Sequence, residues 1–292
     1  MYNFIKQKQD GDQAMNAPQP IRDIRPSSIA GKWYPGDPKR LADSVDDYVN
    51  HAEIPAIEGK VIGLLAPHAG HRYSGPVAGY AFKCLKGLDF DLVALVGPSH
   101  YPYPASVIAS GHDAYETPLG VVPIDRAAMD ALGSTLPVDS VRSDPEHCLE
   151  IELPFLQRAL GEFRLIPLAL VDQSLALAED LGHALAEVLR GQNALLVASS
   201  DLSHFYPQAV ANTLDQQALD AVEAFDPAAV IRAEHDGRKI ACGHGAIATV
   251  MIAARDLGAD TATVIRYATS GDVTRDYQQV VGYGAAVFYR AN

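Results

Sequence analysis

Three apolar runs decide how this chain reads: VIGLLAPH (61–68), LVALVGPSH (92–100) and ALLVASSDLSH (194–204). Each is short, rich in Val and Leu, and bounded by Gly, Pro or Ser, the pattern of a strand buried on both faces of a sheet. In an open α/β sheet, ligands and reacting groups gather in the crevice beyond the carboxyl ends of the strands. The three runs therefore aim His68, His100, Asp201 and His204 at one crevice.

Outward from these runs the pattern repeats. SGPVAGYAFKCLKGL (74–88) lies between the first two and reads as a helix. His68 and His100 are then one strand–helix–strand unit apart and emerge on the same rim. Further strands are expected at 61–66, 92–97, 105–109, 164–171, 194–199, 263–268 and 280–289, and further helices at 40–51, 149–160, 174–190, 213–224 and 245–257. The alternation predicts a single α/β domain, a central, mostly parallel mixed sheet flanked by helices, over residues 27–292. Residues 1–26 are polar, carry Pro18, Pro20 and Pro26, and show neither helical nor strand periodicity. They are expected to form a flexible N-terminal tail, with Met15 as a second candidate start.

With 48% hydrophobic and 20% charged residues in 292, the composition is that of a globular protein with a sizeable core. The formal net charge of −13 would repel a phosphate backbone, which argues against nucleic acid as a partner. Cys84, Cys148 and Cys242 are far apart with no CxxC pair, so a disulfide framework is not expected. No apolar stretch approaches the roughly 20 residues that span a bilayer, and MYNFIKQKQDGDQ lacks the apolar region of a signal peptide. A soluble, cytoplasmic protein with no membrane partner is the expectation.

Cys242 precedes GHGAIATVMIAARDLG (243–258), whose small and apolar residues read as a buried helix. A thiol there feels the positive end of the helix dipole, which favours thiolate, whereas Cys84 reads as a core residue. Together His68, His100 and Cys242 make a two-imidazole, one-thiolate set suited to iron, zinc or copper and poor for magnesium or calcium. His204 would then act as a general base with Asp201 as its orienting carboxylate, and the DLSH spacing suits one turn of helix. In DPEHCLEIELPF (144–155), His147 with one of Glu146, Glu150 and Glu152 would complete an acid/base pair at the crevice edge. The competing reading makes Asp144 a helix N-cap with Pro145 in the first turn. Gly70, Gly75 and Gly97 suit tight turns or close backbone approach to a ligand. Neither GxGxxG nor a P-loop occurs, and a serine-hydrolase reading with Ser99 or Ser200 lacks the GxSxG elbow. A cysteine hydrolase with Cys242 as nucleophile and His204 as base is a further reading. His51, His112, His183 and His235 are expected to be solvated.

APHAGHRYSG (66–75), GPSH (97–100), EHCLEIELPF (146–155), SSDLSH (199–204) and ACGHGAI (241–247), in that order, resemble the Memo family, known in prokaryotes as AmmeMemoRadiSam system protein B. The resemblance spans about residues 26 to 290. That family is itself similar in fold to the class III, LigB-type extradiol dioxygenases, which hold non-haem iron(II) with two histidines and a glutamate. The resemblance implies that His68 and His100 are the paired histidine ligands, that Cys242 stands where the dioxygenases have their carboxylate, and that His204 is the acid/base histidine with Asp201 lining its pocket. It implies iron(II) as cofactor, with copper or zinc as alternatives. The implied function is a metal-dependent, dioxygenase-like oxidoreductase of unknown substrate, or else a non-enzymatic peptide- or metal-binding protein with a vestigial pocket. Implied partners are a small-molecule or peptide ligand and the AMMECR-like and radical-SAM proteins of the same system. His71 stands where tyrosine is expected and would add a fourth imidazole.

Overall fold

Residues 21–234 and 240–292 are described by a computed structural model. The first half of the chain runs β1 (Ile24–Arg25), α1 (Pro38–His51), β2 (Gly59–Ala66), α2 (His71–Lys83), β3 (Leu92–Pro98), β4 (Val107–Ser110), β5 (Ala114–Thr117), β6 (Gly120–Pro123), α3 (Arg126–Gly133) and β7 (Asp139–Val141). A single 3-10 turn, Glu150–Glu152, leads into α4 (Leu153–Leu160). There follow β8 (Arg164–Leu170), α5 (Leu175–Leu189), β9 (Ala194–Ser199), β10 (His204–Tyr206), α6 (Gln208–Glu223), α7 (Pro227–Glu234), α8 (His244–Asp256), β11 (Thr261–Thr269), α9 (Ser270–Thr274) and β12 (Val280–Ala291).

The Val- and Leu-rich runs form the middle of the main sheet, in the order β10-β12-β2-β9-β3-β8-β4-β7, with β11 also paired to β12. β2, β9, β3 and β8 are mutually parallel. On one side β12 joins β2 antiparallel, and on the other β4 joins β8 antiparallel. Every residue of β3, and Leu195 to Ser199 of β9, is buried, as a strand covered on both faces requires. α2, with α1 and α4 against it, packs on β2 and β12, while α8, with α5 and α7 against it, packs on β9 and β3. The single-domain α/β architecture with a mixed, mostly parallel central sheet is thus the one the alternation predicts.

The strand order positions the site. β9 comes late in the chain yet inserts between β2 and β3, in register Ala66↔Ser199 and Val96↔Ala198. His68 lies two residues beyond β2 and His100 two beyond β3, so the two imidazoles flank the carboxyl end of β9 and lean over it.

Several local expectations differ. Ile24 and Arg25, assigned to the tail, pair in parallel with β5, and Arg25 is 2% exposed. The ordered domain therefore starts before residue 27; residues 1–20, with Met15, lie outside the described residues, as does His235. Apolar periodicity is too short to announce a two-residue strand. The helix expected over 74–88 begins at His71 and ends at Lys83. Gly75 lies inside it, where an added Cβ would fall 2.5 Å from the Tyr48 ring; that glycine lets α1 approach α2 and has no part in a ligand turn. Asp144 caps no helix: its Oδ1 accepts from the amide of Glu146 in a tight turn. DLSH makes no helical turn either, because Leu202 and Gly282 bind the segment to β12 through the Leu202 amide and His204 enters β10.

Candidate metal centre

β2 delivers His68 into a fully buried position, where Nδ1 lies 3.0 Å from Ser199 Oγ and Nε2 lies 3.1 Å from Cys242 Sγ. β3 delivers His100, whose ring centroid is 5.3 Å from that of His68 with the rings edge to face. Cys242 comes from the start of α8, which is pinned from two sides. The Cys242 amide donates to Asp201 O and the Gly243 amide to Ser200 Oγ. From the end of β8, Gln173 donates to Cys242 O and accepts from the Gly245 amide. A Cβ at Gly243 would meet Ser199 O at 2.8 Å, so glycine is what lets α8 dock this closely. Donor atoms of His68, His100 and Cys242 all lie within 4.8 Å of one another.

The surroundings fix the tautomers. His100 Nδ1 donates to Glu146 Oε1 at 2.9 Å, while Glu146 also accepts from the amides of His100, His147 and Cys148. Burial alone would raise this carboxyl, but the His100 bonds outweigh it and hold Glu146 well below the usual carboxylate range. A fixed carboxylate accepting from Nδ1–H is the arrangement found behind metal-binding histidines. Burial, reinforced by His147 and His100, presses His68 well below its ordinary value, and it brings His147 down to about 4. Both rings are neutral at pH 7.

His147 belongs to the same cluster. Its ring stacks on His100 at 4.6 Å and, on the other side, lies 4.2 Å from the Trp33 ring. His100, Glu146 and His147 form a second group of donor atoms within 4.8 Å. A cavity of about 600 Å³ is lined by His68, His100, His147, Asp201 and His204 together with Trp33, Tyr73, Phe205 and Tyr283. A second, of about 650 Å³, is lined by Cys242, His244 and Gln173, and the two share His100, His204 and Phe205. The potential ligands thus straddle the wall between two cavities. Phe205 carries that wall with φ +63° and 68% exposure, a left-handed backbone that costs a branched or bulky residue free energy and clusters at functional sites.

Several expected roles differ. Asp201 Oδ1 accepts from the amides of His68 and Ala69 at 2.7 and 3.2 Å, so the carboxylate shapes the His68 loop, while His204 Nδ1 donates to Leu202 O. Burial pushes the Asp201 carboxyl up to about 7 against the pull of those amides. The helix dipole was expected to favour Cys242 thiolate; burial wins, with Asp201 adding to it, and pushes the thiol far up. A neutral thiol whose nearest imidazole is His68 does not suit the nucleophile-and-His204 arrangement. Likewise Ser200 Oγ is occupied with Asp201 O and the Gly243 amide. His71 supplies no fourth imidazole to the cavity: Nε2 donates to Ile151 O, and the ring packs against Tyr34 and Phe155.

Sequence reasoning missed Ser199 and the specific roles of Glu146 and Glu152, because their part depends on contacts across 46 to 131 residues. It also missed Trp33, the single tryptophan, which lies in a segment with no regular periodicity. Arg25 links that segment to the site loop: it donates to Glu150 Oε2 at 2.6 Å and to the carbonyls of Asp144 and Glu146.

A single α/β domain with two imidazoles and a thiol gathered at the carboxyl edge of its parallel strands defines a candidate metal-site protein of the open-sheet class. A sequence model of the Memo-like protein family matches residues 25–287, and the chain belongs to the Memo family. Relatives described as MEMO1 family proteins include one from Nitrosopumilus maritimus, 35% identical over 274 residues, covering 91% of this chain and 99% of that protein. Others are from Methanococcoides burtonii, 36% identical over 268 residues (90% and 99%), and Thermotoga maritima, 33% identical over 279 residues (91% and 99%). Among solved structures, the uncharacterised Escherichia coli K12 protein JW3007 aligns with a TM-score of 0.51 at 14% identity, over 77% of this chain and 99% of that one. That likeness is one of fold.

Proposed function

We propose that this Memo family protein binds one transition-metal ion through His68, His100 and Cys242, and acts as a dioxygenase-like oxidoreductase on a small organic or peptide ligand. Iron(II) is the first choice of ion, with copper or zinc as alternatives. The observation that carries the reading is the placement of Cys242 Sγ 3.1 Å from His68 Nε2, with His100 in the same group of donors. Two imidazoles and a sulfur fit a borderline or soft ion and disfavour magnesium and calcium. Three protein ligands leave positions open, and iron or copper held there would supply electron exchange with a bound ligand.

The chain's own groups would do the rest. His204, whose Nδ1–H donates to Leu202 O, lines both cavities and would serve as the acid/base group toward a ligand there. His147, neutral at pH 7, lines the same wall and would accept or donate a hydrogen bond without adding charge. Asp201 at about 7 is poised to hold or release a proton near neutrality. Trp33, Tyr73 and Tyr283 give the cavity apolar faces for a planar group.

Elemental analysis of protein isolated without chelators tests the reading. About one ion per chain is expected in wild type and almost none in a His68→Ala, His100→Ala double variant. Metal-free wild type that also fails to take up iron(II), copper or zinc would overturn it.

A further inference from the structure

Ser199 Oγ, at the carboxyl end of β9, has three close polar neighbours: Cys148 O at 2.7 Å, His68 Nδ1 at 3.0 Å and Glu152 Oε1 at 3.0 Å. A hydroxyl donates once and accepts twice, and a carbonyl can only accept. The shortest contact, to Cys148 O, therefore takes the single Ser199 hydrogen. The other two neighbours must donate to its oxygen. For His68 this means Nδ1–H, which leaves the Nε2 lone pair facing Cys242 Sγ. For Glu152 it means a carboxylic acid.

An ionised Glu152 would break this count. Two acceptors would compete for one hydrogen, and a charge 1% exposed would be left without a donor of its own, at a cost of several kcal/mol. The titratable groups nearby do not relieve it. Asp201 is acidic and repels a second negative charge, and burial together with that repulsion raises the Glu152 carboxyl well above its ordinary range. Cys148 is a buried neutral thiol. His71, neutral with a value of about 4, has its Nε2–H on Ile151 O. Arg25, the buried cation near this stretch, is engaged by Glu150 and Asp144.

We propose that Glu152 is a proton-carrying positioning residue of the metal site: as a neutral acid it donates to Ser199, and through Ser199 it holds His68 in the tautomer whose Nε2 faces the ion. The acid itself stands on hydrogen-bond accounting alone; only its service to an ion rests on the function proposed above. The arrangement differs from that behind His100, where Glu146 is an anion accepting directly from Nδ1–H. One histidine of the pair is thus backed by a charge and the other by a neutral relay.

The test combines two measurements on the full chain. Infrared difference spectra of metal-free wild type against Glu152→Gln at pH 7 should show a protonated-carboxyl carbonyl band in wild type that the variant lacks. No such band would overturn the proposal whatever the protein does with metals. Zinc affinity, read by competition with a chromophoric chelator, should fall about tenfold or more in Glu152→Ala and Ser199→Ala, the usual range for loss of a group behind a ligand. Glu152→Gln, whose amide N–H can still donate to Ser199, should recover most of that loss, and nitrogen NMR of its His68 should keep the Nδ1–H tautomer. A Gln variant as weak as the Ala variant would overturn the positioning role. Wild type that shows the acid band and the tautomer but binds no zinc, iron or copper would sink the metal reading and leave the neutral acid standing.

Discussion

At the scale of single residues, His71 shows how burial sets chemistry. Its Nε2 donates to Ile151 O, while Nδ1 is buried with no hydrogen-bond partner among the described residues. Burial holds the ring at about 4, against an ordinary value near 6.5. The folded state therefore resists the proton that the unfolded chain accepts. The stability this contributes is fully present above about pH 6.5 and is lost as pH falls toward 4, in total about 3 kcal/mol. Urea unfolding of wild type and His71→Gln across pH 4 to 7 should show the difference between them shrinking by about that amount on acidification. Parallel curves would mean that His71 titrates normally. The tyrosine expected at this position made His71 look like a pocket residue in sequence; its side chain goes instead to the packing between α2 and α4, which no local pattern encodes.

At the scale of elements, the loop carrying Glu146 and His147 is held by a segment more than a hundred residues away. Arg25 in β1 and Glu150 in the 3-10 turn are both nearly inaccessible and 2.6 Å apart. Glu150 accepts further from Ser27 Oγ, the Ser28 amide and Tyr34 OH, and these donors keep it ionised despite burial. Removing the cation would leave a buried anion short of its partner. Arg25→Met should cost about 3 to 5 kcal/mol in chemical denaturation, and Arg25→Met with Glu150→Leu should recover part of it, the remainder being the donors of Ser27, Ser28 and Tyr34 left unpaired. A single variant within error of wild type would refute the clamp. This element was legible only in part. The acidic run of 144–152 stood out, but its reading as a capped helix start failed because Asp144 and Glu146 turn toward Arg25 and His100. Nothing in the two residues of β1 marks them as a strand, since pairing with β5 depends on a partner about ninety positions on.

At the scale of the whole molecule, the runs ending at His68, His100 and Ser199 were readable because parallel strands buried on both faces carry uninterrupted apolar sequence. Their order in the sheet was not. Only the insertion of β9 between β2 and β3 brings the two histidines to either side of Ser199 and sets α8 where Cys242 can reach them. The residue types of the candidate site were visible from strand ends and one helix start; the groups behind them, Glu146, Ser199 and Glu152, follow from that strand order. The strands β5 and β6 and the helices α3, α7 and α9, each eight residues or fewer, escaped notice, since periodicity is weak over so short a run.

The convergence of two imidazoles and one sulfur on a common ion is tested most directly by X-ray absorption of the zinc-loaded full chain. Wild type should show a sulfur scatterer at about 2.3 Å beside imidazole nitrogens at about 2.0 Å, with the sulfur contribution gone in Cys242→Ser. A zinc shell of oxygen and nitrogen alone in wild type, or a sulfur signal that survives Cys242→Ser, would contradict it.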